Sequence, residues 1–275
     1  MLSNINRIMS IEPYFFYIIV FLFGLCVGSF LNVLIYRLPR RLSLVRPPSR
    51  CPSCGRRLGA LELIPVLGYL FLKGRCLQCR QPISPRYPLV ELATACLFTA
   101  IYHGFGFSLA GLGYLLLLTL LLAVALIDLE HRIIPNSLVL TGLIAGLILQ
   151  LPSAGARWFD LPPRLAPALP LTDALAGLAL GGGLLLIIIL VSRGGMGAGD
   201  MKLMAMIGFY VGLRGTAVVM MIGFLLGAVT GLILIAARRL TRKDAVPFGP
   251  FLSLAALIEI FWGPLLWDWY INLLR

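Results

Sequence analysis

Long apolar runs place the tightest limit on what this chain can become. A bilayer core about 30 Å thick is crossed by roughly 20 consecutive apolar residues in a helix. The sequence offers such runs one after another, at 14–36, 89–107, 109–128, 137–150, 172–192, 200–213, 215–237 and 248–270. In lipid, only a helix or a closed barrel satisfies its own backbone. The expected fold is therefore an all-α polytopic membrane protein with about eight transmembrane helices. The runs at 137–150 and 200–213 are short, so their ends should meet the interface or cavity-lined backbone. Composition agrees, with 12% charged and 60% hydrophobic residues, against about 25% charged in soluble domains. A soluble enzyme, a disordered chain and a secreted disulfide scaffold are excluded. No small-residue cleavage site follows the first run, which reads as an anchor rather than a removable signal peptide.

The net charge is +12. On a soluble protein this would suggest nucleic acid, but here the cations sit in loops and report topology, and no nucleic-acid partner is expected. Residues 37–88 carry eleven Lys and Arg. Arg132, Arg193, Lys202, Arg238, Arg239, Arg242 and Lys243 share that side and bring the total to eighteen. The opposite side holds five: Arg7, Arg157, Arg164, Arg214 and Arg275. The positive-inside rule then puts the 37–88 loop in the cytoplasm and both termini outside. The outer loop at 151–171 is rich in proline and reads as irregular. The Arg238–Lys243 cluster suits anionic membrane lipid.

Four of the six cysteines are patterned. Cys51-Pro-Ser-Cys54 is followed, after 21 residues, by Cys76-Leu-Gln-Cys79. Two such knuckles at this separation read as a tetrahedral zinc site, because the two-residue spacing lets both sulfurs of one turn reach one ion. Four sulfurs leave no position for water, so the role is structural. Two disulfides are the competing reading, which a reducing cytoplasm disfavours. The insert of about fifty residues is too small to hold itself by a core, and a metal would do so. Gly55 and Gly74 flank the knuckles and can supply positive φ. Cys26 and Cys96 fall in helices and read as buried apolar side chains.

Acids within membrane helices are costly and mark function. Asp128 closes the third run at Leu-Ile-Asp-Leu-Glu-His-Arg, and Asp200 opens the sixth at Gly-Met-Gly-Ala-Gly-Asp. The topology brings both to the same, cytoplasmic face. Two carboxylates at close range hold one proton between them: the ionised member takes a proton from water, and the protonated member polarises a carbonyl. Glycines at 194, 195, 197 and 199 leave room for a peptide backbone to approach. The plain alternative is a structural ion pair, Asp128 with Arg132 or Asp200 with Lys202. Residues two apart on a helix do not face each other, which makes the latter a poor pair. No Rossmann unit is present, and Gly195-Met-Gly-Ala-Gly199 follows a membrane helix rather than a strand, so it is not a nucleotide loop.

Further stretches complete an ordered set: GSFLNVLIYRLP at 28–39, Lys73-Gly-Arg-Cys-Leu-Gln-Cys79, Arg86-Tyr-Pro-Leu-Val-Glu91, Gly197-Ala-Gly-Asp200 and Pro247-Phe-Gly-Pro250. With the cysteine knuckles and Asp128, this set resembles the type 4 prepilin peptidase family from residue 24 to 250. The resemblance implies an intramembrane aspartic protease of the GxGD type, with Asp128 and Asp200 as the catalytic pair. It implies prepilin and pseudopilin substrates, cleaved after a glycine at the cytoplasmic boundary of the inner membrane. It also implies methylation of the new α-amino group with S-adenosylmethionine, and points to Gly74 as a position tied to that step. Glu62, the one acid of the insert, and Glu91, where the chain re-enters the membrane, are candidates for it; charge balance among eleven basic residues is their plain reading. The expected division is a first helix at 1–36, a cytoplasmic four-cysteine zinc domain linked to N-methylation at 37–88, and the peptidase domain at 89–275. Asn32 is read as a cross-helix hydrogen bond, Lys202 as reaching the interface, and Pro247-Phe-Gly-Pro250 as a helix start or a wall of the cleft. The rival from another class is an ion-coupled transporter using the same aspartates.

Overall fold

The computed structural model describes residues 2–155, 169–192, 196–239, 241 and 246–273. Most of the 151–171 loop lies outside the described residues, as do Arg157, Arg164, Arg193, Gly194, Gly195, Arg242, Lys243 and Arg275. The described chain is helical: α1 Leu2–Arg37, α2 Leu67–Phe71, α3 Arg86–Phe105, α4 Leu109–His131, α5 Asn136–Gly155, α6 Leu171–Val191, α7 Ala198–Ala236 and α8 Gly249–Leu273. A 3₁₀ turn at Leu61–Leu63 precedes α2. Six helices are long and apolar enough to cross a membrane, and α5 contributes the shorter apolar stretch Asn136–Leu151. This is the expected all-α membrane architecture, with the cysteine module between the first two long helices.

Contacts divide the chain into two compact units, Met1–Gly106 and Phe107–Arg275. In the first, α1 packs along α3. Gly24 and Gly28 make this possible: a Cβ at either would lie 2.6 Å from the Cα of Ala95 or Glu91. Small residues four apart let membrane helices approach to backbone contact. By contacts the boundary follows Gly106, because α3 is the partner of α1. Cys26 and Cys96 are exposed on these helices, not buried as expected. Each lies on the side of its helix turned away from the α1–α3 contact, where a weakly polar thiol is compatible with lipid.

In the second unit, α6 packs on α7, α7 on α8, and α4 on α8. The core is a face of α4 (Leu117, Leu121, Val124, Ile127) against Leu203, Met204, Met206 and Ile207 of α7 and Leu252 and Ala255 of α8, each at most 1% exposed. The sixth and seventh expected helices are one 39-residue element, broken at Gly212 (φ 71°, ψ −174°). An unbroken helix would hold residues 208 and 216 about 12 Å apart; here a Cβ on Gly208 would lie 2.9 Å from Thr216 Oγ1. The break frees backbone groups, and the fold satisfies them. Leu213 N–H donates to Asp173 Oδ1 at 3.2 Å, and Thr216 Oγ1 donates to the Gly212 carbonyl at 2.6 Å. In lipid an unsatisfied group of this kind costs several kcal/mol.

Gly212 has a backbone conformation that only glycine adopts readily. Gly212→Ala is expected to cost about 3 kcal/mol or more, combining strain with a collision against Asp173. Gly183→Ala, where an added Cβ meets nothing within 4 Å, is expected to be neutral or stabilising by up to about 1 kcal/mol. Thermal unfolding in detergent should separate the two variants; equal midpoints would sink this account of the break.

Candidate functional site

Three helix ends of the second unit converge on two carboxylates. Asp128 lies in the last turn of α4, and Asp200 in the first turn of α7. Arg132 closes α4 in the left-handed conformation (φ 53°), with its N–H donating to the Asp128 carbonyl at 2.9 Å. Arg132 is thus the cap of α4 rather than simply a counter-ion. The chain then turns so that Ile134 packs on Gly199, and Lys202 Nζ donates to Asn136 Oδ1 at 3.1 Å. These contacts tie the start of α7 to the end of α4, and Asp200 comes within electrostatic reach of Asp128.

Asp128 is 5% exposed, and its Oδ2 accepts the N–H of Gly249 at 3.0 Å. Gly249 opens α8, where the first backbone N–H groups have no partner inside the helix. Pro247-Phe-Gly-Pro250 therefore forms one wall of the aspartate site. Asp200 is half-buried. A side chain at 197 would begin 3.2 Å from Asp200 Oδ2, so the glycine leaves that approach open. A buried carboxylate held by a backbone donor, beside a second carboxylate open on one side, can activate water and polarise a carbonyl.

The first unit carries the cysteines. Cys51, Cys54, Cys76 and Cys79 place their sulfurs within 4.8 Å of one another. Cys51 and Cys79 sulfurs are 3.8 Å apart, and Cys54 and Cys76 sulfurs 4.0 Å. Four sulfurs at about 2.3 Å from one tetrahedral ion would be separated by about 3.8 Å. All four are free thiols, so the module is not a pair of disulfides. The two knuckles share a register. Cys51 N–H donates to Arg56 O and Cys76 N–H to Gln81 O, at 2.9 and 3.0 Å, and Gly55 and Arg80 each follow the second cysteine with positive φ. Backbone N–H groups of Cys79 and Gln78 aim at the Cys76 sulfur and hold its pKa down to about 6. The Cys54 N–H lowers Cys51 in the same way. Such donors favour the thiolate, which is the ligand form.

A cavity of about 430 Å³ opens between the cysteine module and the facing ends of α1 and α3. Glu62 and Glu91 both line it, as do Asn32 and Tyr69. Glu62 is bound to Arg56 and accepts the Gly59 N–H at 2.7 Å. Glu91 is 8% exposed and accepts the Val66 N–H at 2.7 Å. Asn32 Nδ2 donates across to the Tyr87 carbonyl at 2.9 Å. Gly74 is not on the wall but stands directly behind it. It has φ 68°, and a Cβ there would lie 2.7 Å from the Tyr69 hydroxyl. Any side chain at 74 must displace Tyr69, which lines the cavity. The structure thus brings Glu62, Glu91 and, through Tyr69, Gly74 to one place.

Two family models match the chain, the bacterial peptidase A24 N-terminal domain over residues 22–105 and the type IV leader peptidase family over residues 115–232. A prepilin leader peptidase/N-methyltransferase of Pseudomonas putida is 36% identical over 93% of each chain. Its namesake in Legionella pneumophila is 37% identical over 98% of this chain and 99% of its own. That of Bacillus subtilis strain 168 is 36% identical over 93% and 98%. The chain belongs to the type IV leader peptidase family. No solved structure matches it.

Within this leader peptidase, three features escaped the sequence. The N–H of Gly249 is a backbone group, and only its position after a proline-flanked helix start hinted at it. Tyr69 carries no motif of its own. Glu259 of α8 has a buried oxygen, Oε2, without a hydrogen-bond partner; its setting inside an apolar run was the available signal. His103 Nδ1 of α3 lies 2.9 Å from the Tyr17 hydroxyl of α1, within hydrogen-bond distance.

Proposed function

We propose that this chain removes the leader from prepilins and pseudopilins and then methylates the α-amino group so exposed. Identity of about 36% across more than nine-tenths of relatives named for both activities carries this reading. Asp128 and Asp200 are the catalytic pair. One takes a proton from water while the other donates to the scissile carbonyl, giving a tetrahedral diol. Collapse of the diol returns a proton to the leaving amine. No acyl-enzyme forms, because water is the nucleophile. The site lies at helix ends, the depth at which a charged leader meets the apolar pilin helix, and cleavage follows a glycine there. An ion-transport reading of the same acids has no support among the relatives.

Residues 107–275 carry the peptidase, and methyl transfer belongs to the unit that holds the cysteine module. Cys51, Cys54, Cys76 and Cys79 bind Zn²⁺ in a structural role. S-adenosylmethionine is the methyl donor, and Gly74, Glu62 and Glu91 serve that step. The enzyme sits in the bacterial inner membrane with the cysteine module and both aspartates facing the cytoplasm. With α7 counted as two passes and α5 as one, the crossings number eight, so both termini lie outside. The test is reconstitution of the full chain with a prepilin and S-adenosylmethionine. A gel shift should report leader loss, and mass spectrometry of the new N-terminus should show one added CH₂. An uncleaved substrate would refute the peptidase; a cleaved, unmethylated one would refute the second activity alone.

A further inference from the structure

The cavity in the first unit has a charge pattern that its surroundings do not explain. Residues 37–88 contain eleven basic residues and one acid. Residues 1–106 hold three acids in all, Glu12, Glu62 and Glu91, and two of them line this single cavity. Arg37 and Arg50 line the same cavity, so it presents both signs of charge, as a zwitterionic ligand with a cationic centre requires. The two acids are not equivalent. Glu62 is committed to Arg56 and to the Gly59 N–H, and its side chain is 4% exposed. Glu91 accepts the Val66 N–H and stands beside Ser29. An ionised carboxylate has about four acceptor sites, so Glu91 keeps capacity for a further donor. Tyr69 and Tyr87 add aromatic faces to the same space, and such faces attract desolvated cations; Tyr36 also lines it, with one face covered by the Arg40 guanidinium at 4.2 Å. The volume falls in the range of pockets for small organic ligands.

Depth adds a second constraint. Asn32 lies in the last two turns of α1, and Glu91 in the second turn of α3. The pair therefore stands at the membrane boundary. A peptide whose first residue begins an apolar membrane helix presents its α-amine at that depth.

We propose that this cavity is the methyl-transfer chamber, that it holds the adenosyl sulfonium among the tyrosines, and that Glu91 is the catalytic carboxylate that receives the α-ammonium of the cleaved pilin. The proposal rests on the methyltransferase half of the reading above. The ammonium gives one proton to Glu91. The freed nitrogen lone pair forms the N–C bond to the methyl carbon as the C–S bond breaks, its electron pair staying on sulfur as a neutral thioether. The product is a secondary ammonium, and Glu91 returns its proton to water. Arg37, Arg50, Glu62, Tyr36, Tyr69, Tyr87, Cys51 and Cys76 are the charged or titratable groups that share the cavity with Glu91. Arg37 is occupied by the carbonyls of Ser43 and Pro47 at 2.9 and 2.7 Å. Cys51 and Cys76 are the two buried members of the cysteine cluster, so a metal bound there would hold one wall of the chamber in place.

The test titrates S-adenosylhomocysteine into the detergent-purified full chain by calorimetry and follows methylation in parallel. Val33→Trp, which fills the cavity, should weaken binding by about tenfold or more. Glu91→Gln should leave that binding intact yet slow methylation about 5–10-fold near neutral pH, the factor set by the fraction of α-amine already unprotonated there. Its deficit should shrink as pH rises past about 8, where an α-amine sheds its proton unaided. A merely structural role for Glu91 would not produce that pH profile. Should Val33→Trp fail to purify, hydrogen exchange of the wild type should show protection by S-adenosylhomocysteine at 29–36, 62–69 and 87–91. Undiminished binding to Val33→Trp, or protection confined to other segments, overturns the placement while methylation by the wild type stands. A Glu91→Gln enzyme that methylates normally overturns the role of Glu91. A wild type that neither binds S-adenosylhomocysteine nor methylates removes the methyltransferase reading itself.

Discussion

Asp128→Asn or Asp200→Asn is expected to cut leader cleavage by about 10²–10⁴-fold each, the range of one lost general acid or base. Asparagine keeps the volume and can still accept the Gly249 N–H at position 128, so folding should survive and thermal midpoints should stay near wild type. The double variant should be little worse than either single one, because the two groups act on one proton inventory. Gly249→Ala offers a graded comparison. Its new methyl carbon would begin 2.8 Å from Asp128 Oδ2, so the carboxylate must shift, and a loss of about 10–100-fold in kcat is expected for displacement of that order. Gel-resolved processing of a reconstituted prepilin checks all four variants. Full processing by Asp200→Asn would remove the catalytic pair and reopen ion transport as the use of these acids.

The second large effect is loss of the zinc proposed for the four cysteines. Cys51→Ser with Cys76→Ser removes two of four thiolates, and a structural zinc site of this kind is worth about 10–16 kcal/mol of folding free energy. The module has little else to hold it: of residues 37–88, Cys51, Gly68, Gly74, Cys76 and Pro88 are the buried ones. The variant should purify without zinc, lose its resistance to protease between α1 and α3, and fail to methylate. Leader cleavage should persist, since Asp128, Asp200 and Gly249 all belong to the second unit. Acid should mimic the mutation. Backbone donors lower the Cys76 thiol, and protons compete with the metal for each sulfur as pH falls. Zinc release followed by a chromogenic chelator should rise as the pH is lowered through the acid range. Retention of zinc by the double serine variant would end the assignment of four cysteine ligands.

Much of this was legible in one dimension. Runs of apolar residues report membrane helices because lipid imposes one length on all of them. The cysteine knuckles were legible because ligand spacing within one turn is a local property. Asp128 and Asp200 stood out because a charge costs so much in an apolar run. Other features depended on partners distant in sequence. Gly212 reads like any other helical glycine until Asp173 of α6 is placed beside it. The boundary after Gly106 rests on Gly24 and Gly28 meeting α3, which no local pattern of α3 announces. Cys26 and Cys96 were assigned to the interior by residue type, but which side of a uniformly apolar helix faces a neighbour is settled by packing alone.

Residue order by itself determined the all-helical membrane architecture and the clustering of four cysteine sulfurs, since each follows from composition within a segment or from local spacing. Only the tertiary structure decided that a backbone N–H of α8 holds Asp128, that Tyr69 stands between Gly74 and a cavity, and that Glu91 faces the same space as Glu62. Most of these contacts join groups far apart along the chain, and their geometry depends on how helix ends meet rather than on the identity of any sequence neighbour.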